Sequence, residues 1–142
     1  MNVLEIIKMN IKSYRYVTCY MKPDSNILFC NYNENIYVDL QIAKELVSNR
    51  LEFTQNKKHY LILRFSQIQN ANREAIEYMN APEGGLKNIL GTAFIVPSKQ
   101  LLEQTKLLIK YQKNFPVRFF NLEEDAVTWI QQLIDFHQIT QQ

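Results

Sequence analysis

The chain has 142 residues, 46% of them hydrophobic and 21% charged, with a formal net charge of +2 at pH 7. That length suits one domain, residues 1–142, with a core that needs no disulfide or metal to staple it, and the composition excludes disorder over most of it. So small a net charge excludes the strongly basic balance of a protein built to coat nucleic acid or an acidic membrane.

At the N-terminus, MNVLEIIKMNIKSY breaks its apolar positions with Glu5, Lys8 and Asn10, and no small-residue cleavage site follows. A signal peptide is therefore not expected. No stretch approaches the roughly 18 consecutive apolar residues of a membrane span. The expectation is a cytoplasmic protein without integral membrane association. Tyr14 to Met21, rich in Tyr, Val and Thr, reads as a strand; Pro23, Asp24, Ser25 and Asn26 make a turn, and Ile27 to Tyr32 returns as a second strand. If these strands form a hairpin, Cys19 and Cys30 can be near neighbours; a disulfide needs Cβ atoms about 3.5–4.5 Å apart, which the sequence does not fix, and two reduced, buried thiols of a cytosolic protein is the preferred reading. Asn33, Glu34 and Asn35 end the hairpin. Ile36 to Val38 is either a short third strand or an extended lead-in.

Asp39 is placed to cap a helix, its carboxylate accepting from the free amides of the first turn. In LQIAKELVSNRLEFT, Leu40, Ala43, Leu46, Val47 and Leu51 share one side, which Ile42 and Phe53 widen; Gln41, Lys44, Glu45, Ser48 and Glu52 share the other. A face that broad docks on a sheet. Asn56, Lys57 and Lys58 end it. His59 to Phe65, interrupted only by Arg64, suits a central strand covered on both faces.

LILRFSQIQNANREA then crosses from strand through a polar turn into a helix, REAIEYM, with Asn72 as its cap. Pro82, Glu83, Gly84 and Gly85 form a loop, and LKNIL reads as a further helical turn stopped by Gly91. Ala93 to Val96 is a short buried strand ended by Pro97, and Ser98 caps a longer helix, KQLLEQTKLLIKYQKN. Pro116 to Phe120 is a strand that begins at a proline, where a missing amide is tolerated. Asn121 caps the last helix, with Glu124 at capping-box spacing. Leu122, Ala126, Trp129, Ile130 and Leu133 supply its buried face. The order is α/β: an N-terminal antiparallel hairpin (1–35) followed by a body of βαβ units (36–139), giving a mixed sheet with helices packed on it.

Residue chemistry nominates no catalytic set. His59, beside Lys57 and Lys58, and His137, near the end of the last helix, read as surface or rim histidines. Cys19, Cys30 and His59 make no cluster at metal-ligand spacing, so neither metal nor cofactor is expected. Gly84 and Gly85 form a possible anion or ligand loop, because adjacent glycines before a helical turn expose amides. The plainer reading, a tight turn needing positive φ, is preferred. Lys99, Lys106, Lys110 and Lys113 fall on one face of the helix from Ser98, a solvated stripe by preference. The tyrosines and phenylalanines are core by pattern and form no nucleic-acid stacking motif.

The words IYVDLQIAKELVSNRLEFT, HYLILRFSQI, EAIEYMNAPEGGLKNILGTAFIV and VRFFNLEEDAVTWI, in this order of elements, resemble the bacterial STAS-like or SpoIIAA-like domains, and within them small STAS/SEC14-like proteins of unknown function. The resemblance covers most of Ile36 to Ile130. It implies a STAS-like fold, and in the anti-sigma-factor antagonists of that group a phosphorylated Ser or Thr follows an aspartate at the strand-to-helix crossing. Here those positions fall on Arg73 and Asn72, so the switch is missing. Ser66 is the nearest hydroxyl, and bonding its local backbone is its preferred role.

The leading expectation is a non-enzymatic regulatory or scaffolding domain, acting by contact with a protein partner and as a homodimer, without nucleic acid. Its contact surface is placed at Asn70, Asn72, Arg73, Glu74 and Glu77. The alternative is a SEC14-like carrier of a small molecule or lipid. That alternative needs an apolar cavity between the sheet and the helices from Asp39 and Ser98.

Overall fold

The computed structural model describes residues 2–4, 9–32, 36–65, 70–110 and 115–140. The sheet begins with three strands: β1 (Asn10–Ser13), β2 (Val17–Met21) and β3 (Ile27–Tyr32). Then come β4 (Tyr37–Val38), α1 (Leu40–Phe53), β5 (His59–Arg64), β6 (Asn70–Ala71) and α2 (Arg73–Met79). β7 (Ile89–Ile95), α3 (Lys99–Lys106), β8 (Val117–Phe120) and α4 (Glu123–Thr140) complete the order. A six-stranded sheet runs β1-β2-β3-β5-β7-β8, antiparallel across β1, β2 and β3 and parallel from β3 to β8. β4 and β6 form a separate two-residue parallel pair. The fold is therefore α/β, with a mixed sheet and α1–α4 packed on it.

β2 and β3 are the expected hairpin, and their register sets Cys19 opposite Cys30. Both are free thiols, their Sγ atoms 3.6 Å apart. β1 was not expected. Its four residues are all exposed, so no buried face marks it in the sequence.

β5 behaves as its apolar run requires. Leu61 and Leu63 enter one core cluster and Tyr60 and Ile62 the other, because successive side chains leave a strand on opposite faces. Parallel strands taken in sequence step across the sheet in one direction, and right-handed crossovers then put the connecting helices on one face. Ala43 and Leu46 of α1, Ala75 of α2 and Leu101 of α3 accordingly share a core with Leu28, Leu61 and Phe94. α4 follows β8 and covers the opposite face with Ala126 and Ile130. A fully buried aliphatic such as Leu28 or Ile130 contributes about 1.5–3 kcal/mol.

Three caps form where short polar side chains were expected to make them. Asp39 Oδ1 accepts from Ile42 N at 2.8 Å, Asn72 Oδ1 from Ala75 N at 2.9 Å, and Ser98 Oγ from Leu101 N at 3.1 Å. The fourth does not: α4 begins at Glu123, and the Leu122 carbonyl accepts from Ala126 N, which puts Leu122 rather than Asn121 at the cap position. Gly91 does not stop a helix. It lies inside β7, which starts four residues before the expected strand, and a Cβ there would come within 2.5 Å of Leu133 Cδ2 on α4.

α3 is shorter than its period promised. It ends at Lys106, so the lysines do not form one helix stripe: Lys110 follows the helix, and Lys113 lies outside the described residues. Asn80 is the physical cause. Its Nδ2 donates to Leu108 O at 3.1 Å and its Oδ1 accepts from Lys110 N at 2.8 Å, taking backbone groups that a longer helix would have paired.

Candidate functional site

Where β3, β5, β7 and β8 end, four aromatic rings stack in a row on the face that carries α1–α3. Tyr32 and Phe65 have centroids 5.5 Å apart, Phe65 and Phe94 5.7 Å, and Phe94 and Phe119 5.3 Å. Parallel register produces this row, since residues of one phase on neighbouring strands lie side by side. Tyr32, Phe65 and Phe94 floor a chamber of about 120 Å³. Leu46 of α1 and Ala75, Ile76 and Met79 of α2 line it too, as do Leu108, Ile109 and Lys110 of the segment that Asn80 holds. A volume of that order admits a small organic group, and an apolar lining leaves water poorly bound there.

A second cavity of about 40 Å³ adjoins it and shares Tyr32, Leu46, Leu61, Leu63, Met79 and Gly85 as walls. Cys19, Cys30 and Arg50 line this smaller space. Arg50 is 6% exposed and is the only charged residue among those buried in the described part of the chain. Its Nη1 donates to Lys87 O at 2.7 Å and to His59 Nε2 at 3.1 Å, and its Nη2 to Gly85 O at 3.1 Å. Guanidinium nitrogens only donate, so His59 Nε2 accepts and its Nδ1–H donates to Lys57 O at 2.9 Å. Burial holds the His59 pKa down to about 4, with the neighbouring Arg50 charge acting the same way, so the ring is neutral. Burial also lowers the Arg50 pKa, while the adjacent thiols and tyrosines act against that. Burial raises the Tyr32 phenol well above its ordinary value.

His59 is thus a core residue, not a surface or rim histidine, because α1 and the 85–87 loop enclose it. His137, by contrast, is a half-buried residue of α4 and bonds the Tyr60 hydroxyl on the opposite face of the sheet. Gly84 and Gly85 are neither an anion loop nor a positive-φ turn. Both glycines have negative φ, and their amides donate to Ala81 O and Tyr78 O. Close backbone approach requires them: a Cβ would lie 2.3 Å from Tyr78 O at Gly84 and 2.0 Å from Met79 O at Gly85. The left-handed residue of this loop is Asn88, with φ 66°.

The expected contact residues gather at the start of α2. Asn70 is exposed in β6 and also lines the chamber. Asn72 is occupied as the helix cap, Arg73 Nε donates to Glu77 Oε1 at 3.1 Å, and Glu74 is exposed beside them. Ser66 lies outside the described residues, as do Asn33, Glu34 and Asn35.

Arg50, Tyr32, Asn80 and the aromatic row were missed. For Arg50 a signal existed: positions 43, 46, 47, 50 and 53 share one helical phase, and an arginine on it must be buried. For Asn80 and the aromatic row the sequence carries none, because their partners lie on other elements. Among the described residues no three His, Cys, Asp or Glu side chains are grouped to hold a metal ion, and no helix is long and apolar enough to cross a membrane.

No curated protein matches the chain, and no solved structure does. One family model matches residues 20–134, which takes in the sheet from β3 onward, the chamber and most of α4, and the chain therefore belongs to that family, described as Domain of unknown function (DUF7793).

Proposed function

We propose that this protein is a non-enzymatic domain that binds a small, largely apolar molecule between its sheet and the helices α1 and α2, as a carrier or sensor. The aromatic-floored chamber carries this reading. A core of this kind packs to the density of an organic crystal, so apolar space left beside four stacked rings is space kept for an occupant. What supports a STAS/SEC14-like relation is the element order and the three helices that share the chamber's side of the sheet.

Ile76 lines the chamber and is only half-buried, so Ile76→Trp adds bulk at the chamber wall and leaves the fully buried core residues as they are. Calorimetric titration of the wild type with 1-octanol and with octanoate is expected to show saturable one-site binding of at least one of them. Ile76→Trp is expected to weaken it by about tenfold or more, since one lost apolar contact surface of this size exceeds about 1.4 kcal/mol. Binding that does not saturate, or that Ile76→Trp leaves unchanged, rejects the reading.

One observation favours a second role, contact with a protein. Tyr37 is 62% exposed and is the register partner of Asn70, so an exposed aromatic residue is paired with the strand that leads into α2. Exposed tyrosine among polar residues is typical of an interface anchor. On this reading the rim is where a partner, or a second copy, reads whether the chamber is filled. Light scattering of the purified chain tests the second copy: a dimer that Tyr37→Ala and Arg73→Glu dissociate supports it, and a monomer at all concentrations rejects it.

A further inference from the structure

We infer that the occupant is an anionic amphiphile, a monocarboxylate whose head group meets Arg50 and Tyr32 while its apolar body lies over the aromatic floor. This rests on the chamber being a ligand site. Three features on the sheet side of α1 carry it. First, a full guanidinium charge is buried there, and among the described residues no carboxylate pairs with it. A buried cation ordinarily has an anionic partner, because carbonyl dipoles compensate it only in part. Second, the three bonds to Lys87 O, Gly85 O and His59 Nε2 account for three of five N–H donors, and no partner among the described residues takes the N–H on Nε. Third, the Tyr32 hydroxyl has no hydrogen-bond partner among the described residues, and Tyr32 lines both cavities.

Size and charge narrow the head group. The smaller cavity, about 40 Å³, is of the order of a carboxylate or a single bound water. One guanidinium matches one negative charge, whereas a phosphate monoester dianion would meet no second buried cation among the described residues. The carbonyls of Gly85 and Lys87 hold the guanidinium plane in place before any ligand arrives, so little ordering cost falls on binding.

The test compares octanoate with 1-octanol on the intact chain at pH 7.5, by calorimetry. Octanoate is expected to bind about tenfold or more tighter, the worth of a charge-assisted bond over a neutral one. Arg50→Met is expected to erase that preference, and Arg50→Lys to retain part of it. If Arg50→Met fails to fold, Tyr32→Phe still distinguishes the two probes, since it should weaken octanoate more than octanol. Lys110 lines the chamber from its exposed side and offers a rival site for the charge. Should Lys110→Gln remove the octanoate preference while the Arg50 variants keep it, the assignment to Arg50 is overturned. Equal affinity for both probes would overturn the carboxylate and leave an apolar site standing. Binding of neither would remove the site itself.

Discussion

At the scale of single residues, Arg50 and His59 form one hydrogen-bonded unit in which His59 is the group that titrates. Folded His59 stays neutral down to about pH 4, while its unfolded value is 6.5. The unfolded chain therefore takes up the proton first. Stability from this residue is whole above pH 6.5, is lost as the pH falls from 6.5 to about 4, and is flat below that. Unit for unit, the full loss is about 3 kcal/mol. His59→Gln can keep both bonds, its side-chain oxygen accepting from Arg50 and its amide donating to Lys57 O, without a titrating group. Urea unfolding of the wild type should steepen in pH dependence below 6.5, and the variant should lose that slope. An identical slope in both would mean that His59 is not held neutral. The sequence hid this pair in part. His59 stands next to two lysines and looked solvated, and only its strand phase, inward toward α1, contradicts that.

At the scale of elements, three helix starts were legible because capping is local: an Asp, Asn or Ser reaches an amide three residues on, and no other part of the chain is consulted. Asn72→Ala should accordingly cost about 1 kcal/mol in chemical denaturation. Glycines were harder, since what excludes a Cβ sits on another element. Gly85 abuts the backbone of Met79, which has nowhere to move, while Gly91 abuts the tip of the flexible Leu133 side chain. Gly85→Ala is therefore expected to cost about 3 kcal/mol or more, and Gly91→Ala about 1 kcal/mol. Denaturation midpoints of the two variants decide it; a milder Gly85→Ala would show that the 81–88 loop adapts.

At the scale of the whole molecule, an occupied chamber couples the layers. The wall is made of β3, β5, α1, α2 and the segment after α3, so an occupant binds the folded chain only. At a hundred times its Kd it should stabilise by about 2.7 kcal/mol, which for this length is a rise in Tm of about 9 °C. Octanoate at that concentration should raise the wild-type Tm and raise that of Ile76→Trp by about half as much or less; an equal rise in both would place the binding elsewhere. Much of the fold at this scale could be read from one dimension. Hydrophobic period, turn chemistry and caps specify the hairpin, the alternation of strands and helices, and, through the handedness of crossovers, a mixed α/β sheet. Those signals all lie within a few residues of what they specify. The chamber is different. Tyr32, Phe65 and Phe94 become a floor only when β3, β5 and β7 are set side by side, and Arg50 meets His59 and Gly85 only when α1 packs beneath the 85–87 loop. Distance between such groups is a property of packing, and packing joins residues that the chain keeps far apart.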